Sequence, residues 1–267
     1  TRVMRTVCPH LKPRGAEANE ATLFDGGLVG PTVNLSLTAR QRFGWAARVP
    51  RAVWQDAVLP YASVNEARTD WRQLLWRELL PIVGGLSNSS SLASVALAVN
   101  THAWAALGRF SGTSGVTFRA EQTPLLFDPM STLLYGYASC TGISLLYVDL
   151  LRTVGIPARL AGTPAWHGRP QDGNHNWVEV WLGKDSGWSF IEGAPAGGGE
   201  TFENPCDKWF CNPAHFNRSG TKVFATAYAR GLPVLPVVVA PAFQFPAPHM
   251  DFAALSREAS GAKAGVI

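Results

Sequence analysis

Long apolar runs are missing from this chain of 267 residues. No uninterrupted stretch approaches the roughly 20 residues that a membrane-spanning helix needs, and Leu232 to Phe245 is broken by prolines. Dense runs of one charge are missing too. Only 16% of the residues are charged, the net charge is +4, and the lysines and arginines are scattered. Neither nucleic acid nor an anionic membrane is implied as a partner. No acidic loop has calcium-binding spacing, and no metal or other cofactor is expected. No internal repeat is present. Cysteine is scarce, at four residues: Cys8, Cys140, Cys206 and Cys211. Cys206 and Cys211 lie in a polar, proline-containing loop and suit a small disulfide. With His215 they spell Cys-x4-Cys-x3-His, but no fourth ligand follows at sensible spacing, so zinc is not expected. Cys8 is left over.

With 46% hydrophobic residues the chain can bury a substantial core. Ten tryptophans, 26 glycines and 19 prolines suggest a loop-rich, aromatic-lined protein. Asn34-Leu35-Ser36, Asn88-Ser89-Ser90 and Asn217-Arg218-Ser219 are glycosylation sequons. Together with the Cys206–Cys211 loop they point to a secreted or extracytoplasmic setting. The chain opens at Thr1, so no targeting peptide can be read from it. Three segments are expected: an irregular stretch over 1–62, a catalytic core over 63–230, and a partly flexible extension over 231–267. Ser63 followed by Glu66 forms a capping box predicting a helix to about Val83. A second helix is predicted over Leu92 to Leu107, and a short strand at Val116 to Phe118. Gly193 to Gly220 reads as a long surface loop, and Lys222 to Tyr228 as a further strand.

Cys140 carries the chemistry. After it, Ile143, Leu146, Tyr147, Leu150, Leu151 and Val154 recur at three- and four-residue intervals, the stripe of an amphipathic helix. Gly155 and Pro157 close that helix. The cysteine therefore sits in the first turn, where unpaired N–H groups and the helix dipole favour thiolate. Taken alone, a cysteine here reads first as a buried structural residue. The downstream residues argue otherwise. Ile156 to Gly162 reads as a strand. His175 opens another, with His175, Trp177, Glu179 and Trp181 on one face and Asn176, Val178 and Val180 on the other. Lys184 to Gly187 form a turn, and Trp188 to Ile191 the hairpin partner ending at Glu192. A cysteine at a helix start, a histidine at a strand start and an acid at the end of the adjacent strand form a nucleophile, base and orienter.

The runs Ala138-Ser139-Cys140-Thr141-Gly142, Gly155-Ile156-Pro157-Ala158-Arg159, Asn174 to Val180 and Trp188-Ser189-Phe190-Ile191-Glu192 resemble the transglutaminase-like superfamily of papain-like cysteine enzymes. Val58 to Glu66 is similar to the lead-in of bacterial-type members, and the resemblance covers about Trp54 to Phe190. It implies an α+β papain-like fold: a helical N-terminal half, then the cysteine helix packed on an antiparallel sheet. It also implies catalytic roles for Cys140, His175 and Glu192. The family's third position is usually Asp, and the longer Glu192 must bend back to reach the ring. Asp172 and Asp185, both in apparent turns, are the alternatives.

The implied chemistry is acyl transfer on protein or peptide amides. Cys140 attacks the carbonyl, His175 protonates the leaving amine, and water or a second amine resolves the thioester. The Cys140 N–H is an oxyanion donor at the helix start; Gln122 is a candidate second donor by analogy with papain-like sites, though it reads first as a solvated loop residue. Trp177 either shields the Cys–His pair or packs between sheet and helix. The alternative from another class is a catalytically degenerate module that binds or scaffolds. Oligomeric state is not readable.

Overall fold

The computed structural model describes residues 27–64, 66–120, 127–198, 201–202, 222–227 and 238–240. Among these, the chain runs through helices α1 (Val29–Arg42), α2 (Gly44–Ala47), α3 (Arg51–Ala57), α4 (Trp71–Val83) and α5 (Leu92–Leu107). The small pair β1 (Thr117–Phe118) and β2 (Tyr137–Ala138) flanks α6 (Pro129–Tyr135), and α7 (Cys140–Thr153) follows. The strands β3 (Ala158–Thr163), β4 (His175–Trp181), β5 (Trp188–Ile191), β6 (Phe224–Ala227) and β7 (Val238–Ala240) make one antiparallel sheet, in the order β5-β4-β3-β6-β7. The fold is α+β. No helix among the described residues is long and apolar enough to cross a membrane.

Two expectations need correction at the N-terminal side. Residues 29–57, read as irregular, are mostly helical. Their glycines and prolines fall where helices tolerate them: Pro31 in the first turn of α1 and Pro50 as the N-cap of α3. The buried face of α1 is Thr32, Ser36 and Ala39, too small and polar to register as an apolar stripe. The helix predicted from Ser63 begins instead at Trp71, with Asp70 as its N-cap. The Glu66 carboxylate does reach back, accepting from the Ser63 N–H (2.6 Å) and the Val64 N–H (2.7 Å), but it ties a buried turn rather than a helix start.

Helix α7 also differs from its sequence pattern. Every residue from Gly142 to Thr153 is buried, including Ser144, Asp149 and Arg152, so the helix has no solvent face. Its apolar side joins a core with Trp71, Leu75 and Leu79 of α4, Val95 and Val99 of α5, and Val178 and Val180 of β4. Its polar side is served by two buried arginines. Arg72 of α4 donates to the carbonyls of Arg152 (2.8 Å), Val58 (2.9 Å) and Pro60 (3.1 Å). Arg152 donates to the carbonyls of Ala158 (3.1 Å) and Ala62 (3.1 Å). Burial lowers the affinity of both guanidiniums for their protons; the nearby Asp149 offsets this in part, while burial raises the Asp149 carboxyl itself well above the usual carboxylate range. The arginines thus satisfy carbonyls of the 58–62 turn that packing against α7 would otherwise leave dry.

Of the three sequons, Asn34 lies within α1, where the Ser36 hydroxyl is buried and donates to the Thr32 carbonyl. Asn88 is exposed in the loop before α5, and its side-chain oxygen accepts from the Gly44 N–H at 3.1 Å. Asn217, Cys8, Cys206, Cys211 and His215 lie outside the described residues.

Replacing Arg72 with Met removes a buried cation that three carbonyls and Asp149 depend on, and should destabilise the fold by about 3–5 kcal/mol. Chemical denaturation checks it against Arg109→Met, which removes a mostly exposed partner of Glu78 and should cost about 1 kcal/mol or less. Equal midpoints for the two variants would contradict the role given to Arg72.

Candidate active site

The chain reaches Cys140 through a sharp change of direction. Gly136 ends α6 in the left-handed region (φ 72°), and an added Cβ would lie 2.3 Å from the Ser111 hydroxyl oxygen, so only glycine fits. Two residues of β2 follow, then Ser139 with extended backbone as the N-cap, and Cys140 opens α7. The Ser139 side chain makes no capping bond, and its carbonyl takes the Ile143 N–H at 2.9 Å. The N–H groups of Cys140, Thr141 and Gly142 are first-turn donors that the helix itself cannot pair. Cys140 is partly exposed and is the free cysteine among the described residues.

Sheet register brings the other two groups together. Thr163 of β3 pairs with His175, and Val178 of β4 with Ile191 of β5. Continuing that register by one residue sets Glu192 opposite Trp177, diagonal to His175 on the same face, where cross-strand side chains meet. The His175 Nε2 and Glu192 Oε1 atoms are 2.6 Å apart, and both residues are buried. This leaves the other ring nitrogen, Nδ1, to face the thiol, whose pKa the ring lowers. The longer reach of glutamate is accommodated. The alternatives lie elsewhere: Asp172 binds His167 and Arg169 in the loop before β4, and Asp185 is exposed in the β4–β5 turn. Trp177 is fully buried, its ring 6.1 Å from that of His175 and 6.0 Å from that of Phe190, so it packs behind the imidazole. Gln122 lies outside the described residues.

The electrostatics favour an ion pair. Burial pushes the Cys140 thiol up, but hydrogen bonding and charge from His175, then the Asn176 main-chain N–H and the Thr141 side chain, outweigh it and hold the thiol below its usual range. Burial also disfavours imidazolium, yet the hydrogen bonds to Cys140 and Glu192 push the His175 pKa up to about 9. Between the lowered thiol pKa and about 9, sulfur carries the negative charge and the ring the positive one.

Two supporting residues, Asn100 and Asn176, escape the sequence reading. Asn100 of α5 donates from Nδ2 to the Glu192 carbonyl (3.0 Å), while its Oδ1 accepts from the Ala194 N–H (2.9 Å) and Trp104 Nε1 (3.0 Å). It fixes the backbone on both sides of Gly193. A lone asparagine in the apolar run Val95-Ala96-Leu97-Ala98-Val99-Asn100 was a signal available in the sequence. Asn176 donates from Nδ2 to the Thr141 hydroxyl oxygen at 2.7 Å. Its signal was a polar residue on the β4 face otherwise made of Val178 and Val180. Among the described residues, no group of three or more His, Cys, Asp and Glu side chains is placed to hold a metal ion.

Residues 111–192, from just before β1 to Glu192, match the model of the transglutaminase-like superfamily. Cys140, His175 and Glu192 all lie within that span. No curated protein matches the chain. A solved structure similar to the chain is that of a candidate cysteine protease from Cytophaga hutchinsonii, at 15% identity and a TM-score of 0.38, with 71% of this chain and 58% of that one covered. The chain thus spans little more than half of that protein's length. The family match coincides with the segment that builds the cysteine helix and the histidine strand, and the chain carries a transglutaminase-like domain.

Proposed function

We propose that the chain is a cysteine-dependent enzyme transferring acyl groups from protein or peptide amides, with Cys140 as nucleophile, His175 as acid and base, and Glu192 as orienter. The observation that carries this reading is the buried contact of His175 with Glu192 on one ring nitrogen, in a ring that also lowers the pKa of the Cys140 thiol. A structural cysteine needs neither partner.

The geometry suits the following sequence of steps. Cys140 thiolate adds to the amide carbonyl, and the electron pair moves to oxygen, within reach of the unpaired first-turn N–H of Cys140. His175 gives its Nδ1 proton to the departing amine as the C–N bond breaks, leaving a thioester on Cys140 and a neutral ring. The ring then takes a proton from water or from an acceptor amine as that group attacks. The S–C bond breaks, the pair returns to sulfur, and the ion pair is restored. Buried Glu192 stabilises imidazolium and holds the ring's tautomer throughout. Water as the acceptor gives amide hydrolysis and an amine gives cross-linking.

Incubating the protein with an amine probe and a glutamine-containing protein, with parallel detection of amide hydrolysis, should show turnover in the wild type and none in Cys140→Ala. Equal signals from the two proteins would sink the catalytic reading and leave a binding or scaffolding module.

The acid role also sets a pH limit. His175 must be protonated to expel the amine, so kcat/KM should fall as pH rises through about 9. A profile still rising above that pH would contradict it.

Glu192→Gln keeps a hydrogen bond but loses the charge. Amide replacement of a triad carboxylate costs up to about 10⁴ in rate, whereas cysteine enzymes with an asparagine orienter need no charge, so a loss of roughly 10–100-fold is expected. Glu192→Asp should lose less. Rates within twofold of wild type for both would clear Glu192 of the role.

A further inference from the structure

We infer that Asn100 is a positioning residue of the reaction: it anchors the main chain of Glu192 to α5, the helix that also holds the cysteine helix, and so sets where the Glu192 carboxylate meets the His175 ring. The inference rests on Cys140 being the nucleophile and Glu192 the orienter. Helix α5 ends before residues 111–192, the span that matches the family, so the anchor comes from a part of the chain outside that match.

The need for an anchor follows from the sheet. The β4–β5 ladder ends at the pair Val178 and Ile191, and Glu192 lies one residue beyond it. Ladder bonds therefore stop just short of the residue whose side chain must meet the ring. Asn100 takes over there. It is buried, and its Nδ2 donates to the Glu192 carbonyl at 3.0 Å. Its Oδ1 accepts from the Ala194 N–H (2.9 Å) and from Trp104 Nε1 (3.0 Å). One carbonyl on the amide nitrogen and two N–H groups on the amide oxygen fix which way the side chain faces.

Close packing confirms the hold from two further directions. A Cβ on Gly193 would lie 2.7 Å from Ile143 Cγ2 of α7 and 3.1 Å from the Trp104 ring of α5, so the chain leaving Glu192 is wedged between the two helices. Gly193 then turns the chain back, its carbonyl accepting from the Ala196 N–H (2.9 Å) and the Gly198 N–H (3.2 Å). This brings Gly198 against the orienter: a Cβ there would lie 2.0 Å from the Glu192 carbonyl oxygen, the atom that Asn100 binds. The same helix grips the nucleophile's side. The Tyr147 hydroxyl of α7 donates to the Ala96 carbonyl at 3.0 Å, one turn before Asn100, and the Tyr147 ring lies 6.0 Å from that of Trp104. Helix α5 thus spaces the helix that opens with Cys140 from the chain that carries Glu192. Catalytic groups need placement to within roughly 0.5 Å, and supporting hydrogen bonds supply it.

The test is a double-mutant cycle on the full chain, read as the rate of iodoacetamide alkylation at Cys140. Peptide mapping separates Cys140 from Cys8, Cys206 and Cys211. The variants are Asn100→Leu, Gly198→Ala, Glu192→Ala, and each of the first two combined with Glu192→Ala, with thermal unfolding of all. Gly85→Ala is the control, since nothing lies within 4 Å of a Cβ added there. At about pH 6, where an ordinary thiol is almost wholly protonated, Asn100→Leu should react roughly 3–10-fold more slowly than wild type. Gly198→Ala should slow it in the same direction, and Gly85→Ala should not. In the Glu192→Ala background, adding either substitution should change the rate by less than about twofold, because the group it positions is gone. A merely structural role would make the losses multiply.

If Asn100→Leu and Gly198→Ala react like wild type, or slow the reaction equally with and without Glu192, the role of Asn100 is overturned while Cys140 stands. Should Asn100→Leu fail to fold, Gly198→Ala in the two backgrounds decides. A wild-type Cys140 that reacts as an ordinary thiol would remove the nucleophile reading, and a Glu192→Ala rate equal to wild type would remove the orienter. Either result takes this inference with it.

Discussion

Everything at this site depends on one short contact, the 2.6 Å approach of Glu192 Oε1 to His175 Nε2 in a place from which water is excluded. Burial alone would discharge both the imidazolium and the thiolate. The sulfur and Glu192 together reverse that for the ring, and the ring reverses it for the sulfur. The site is therefore a chain of charges, each stabilised by the next, and its weakest point is the position of Glu192. That position follows from hairpin register, one residue beyond the last pair of β4 and β5, and from the grip of Asn100 on the backbone around Gly193.

The same logic explains why α7 is buried on all sides. A helix that presents a thiolate at its N-terminus must not shift against the strand carrying the histidine. Packing against α4, α5 and the sheet holds it, but buries the polar groups of its lower turns. Arg72 and Arg152 resolve the resulting problem by donating to backbone carbonyls of the 58–62 turn and of the chain leaving the helix. The arginine clamp at the C-terminal end and the ion pair at the N-terminal end thus belong to one rigid rod.

Much of this was readable from the residues. Period-two alternation in Asn174 to Trp181 placed His175 and Trp177 on one face, and the turn before Trp188 placed Glu192 beside them. The helical spacing after Cys140 located the thiol at a helix start. What could not be read were interactions that leave no periodic trace. A polar face pattern in α7 looks the same whether water or buried arginines satisfy it. The small residues Thr32, Ser36 and Ala39 hide a buried helix face. Glu66 makes its backbone contacts without starting a helix, because the capping-box spacing specifies a local bond and not the conformation that follows. Thr141 and Asn176 are far apart in the chain and ordinary in type, and only the register of β4 against α7 brings them together.

The central claim is that His175 is charged at neutral pH because Glu192 and the Cys140 thiolate flank it. Nitrogen-15 NMR of the imidazole tests this most directly. The account predicts both ring nitrogens protonated at pH 7, with titration near pH 9. A neutral ring at pH 7, with a single protonated nitrogen and an ordinary titration near 6.5, would contradict it.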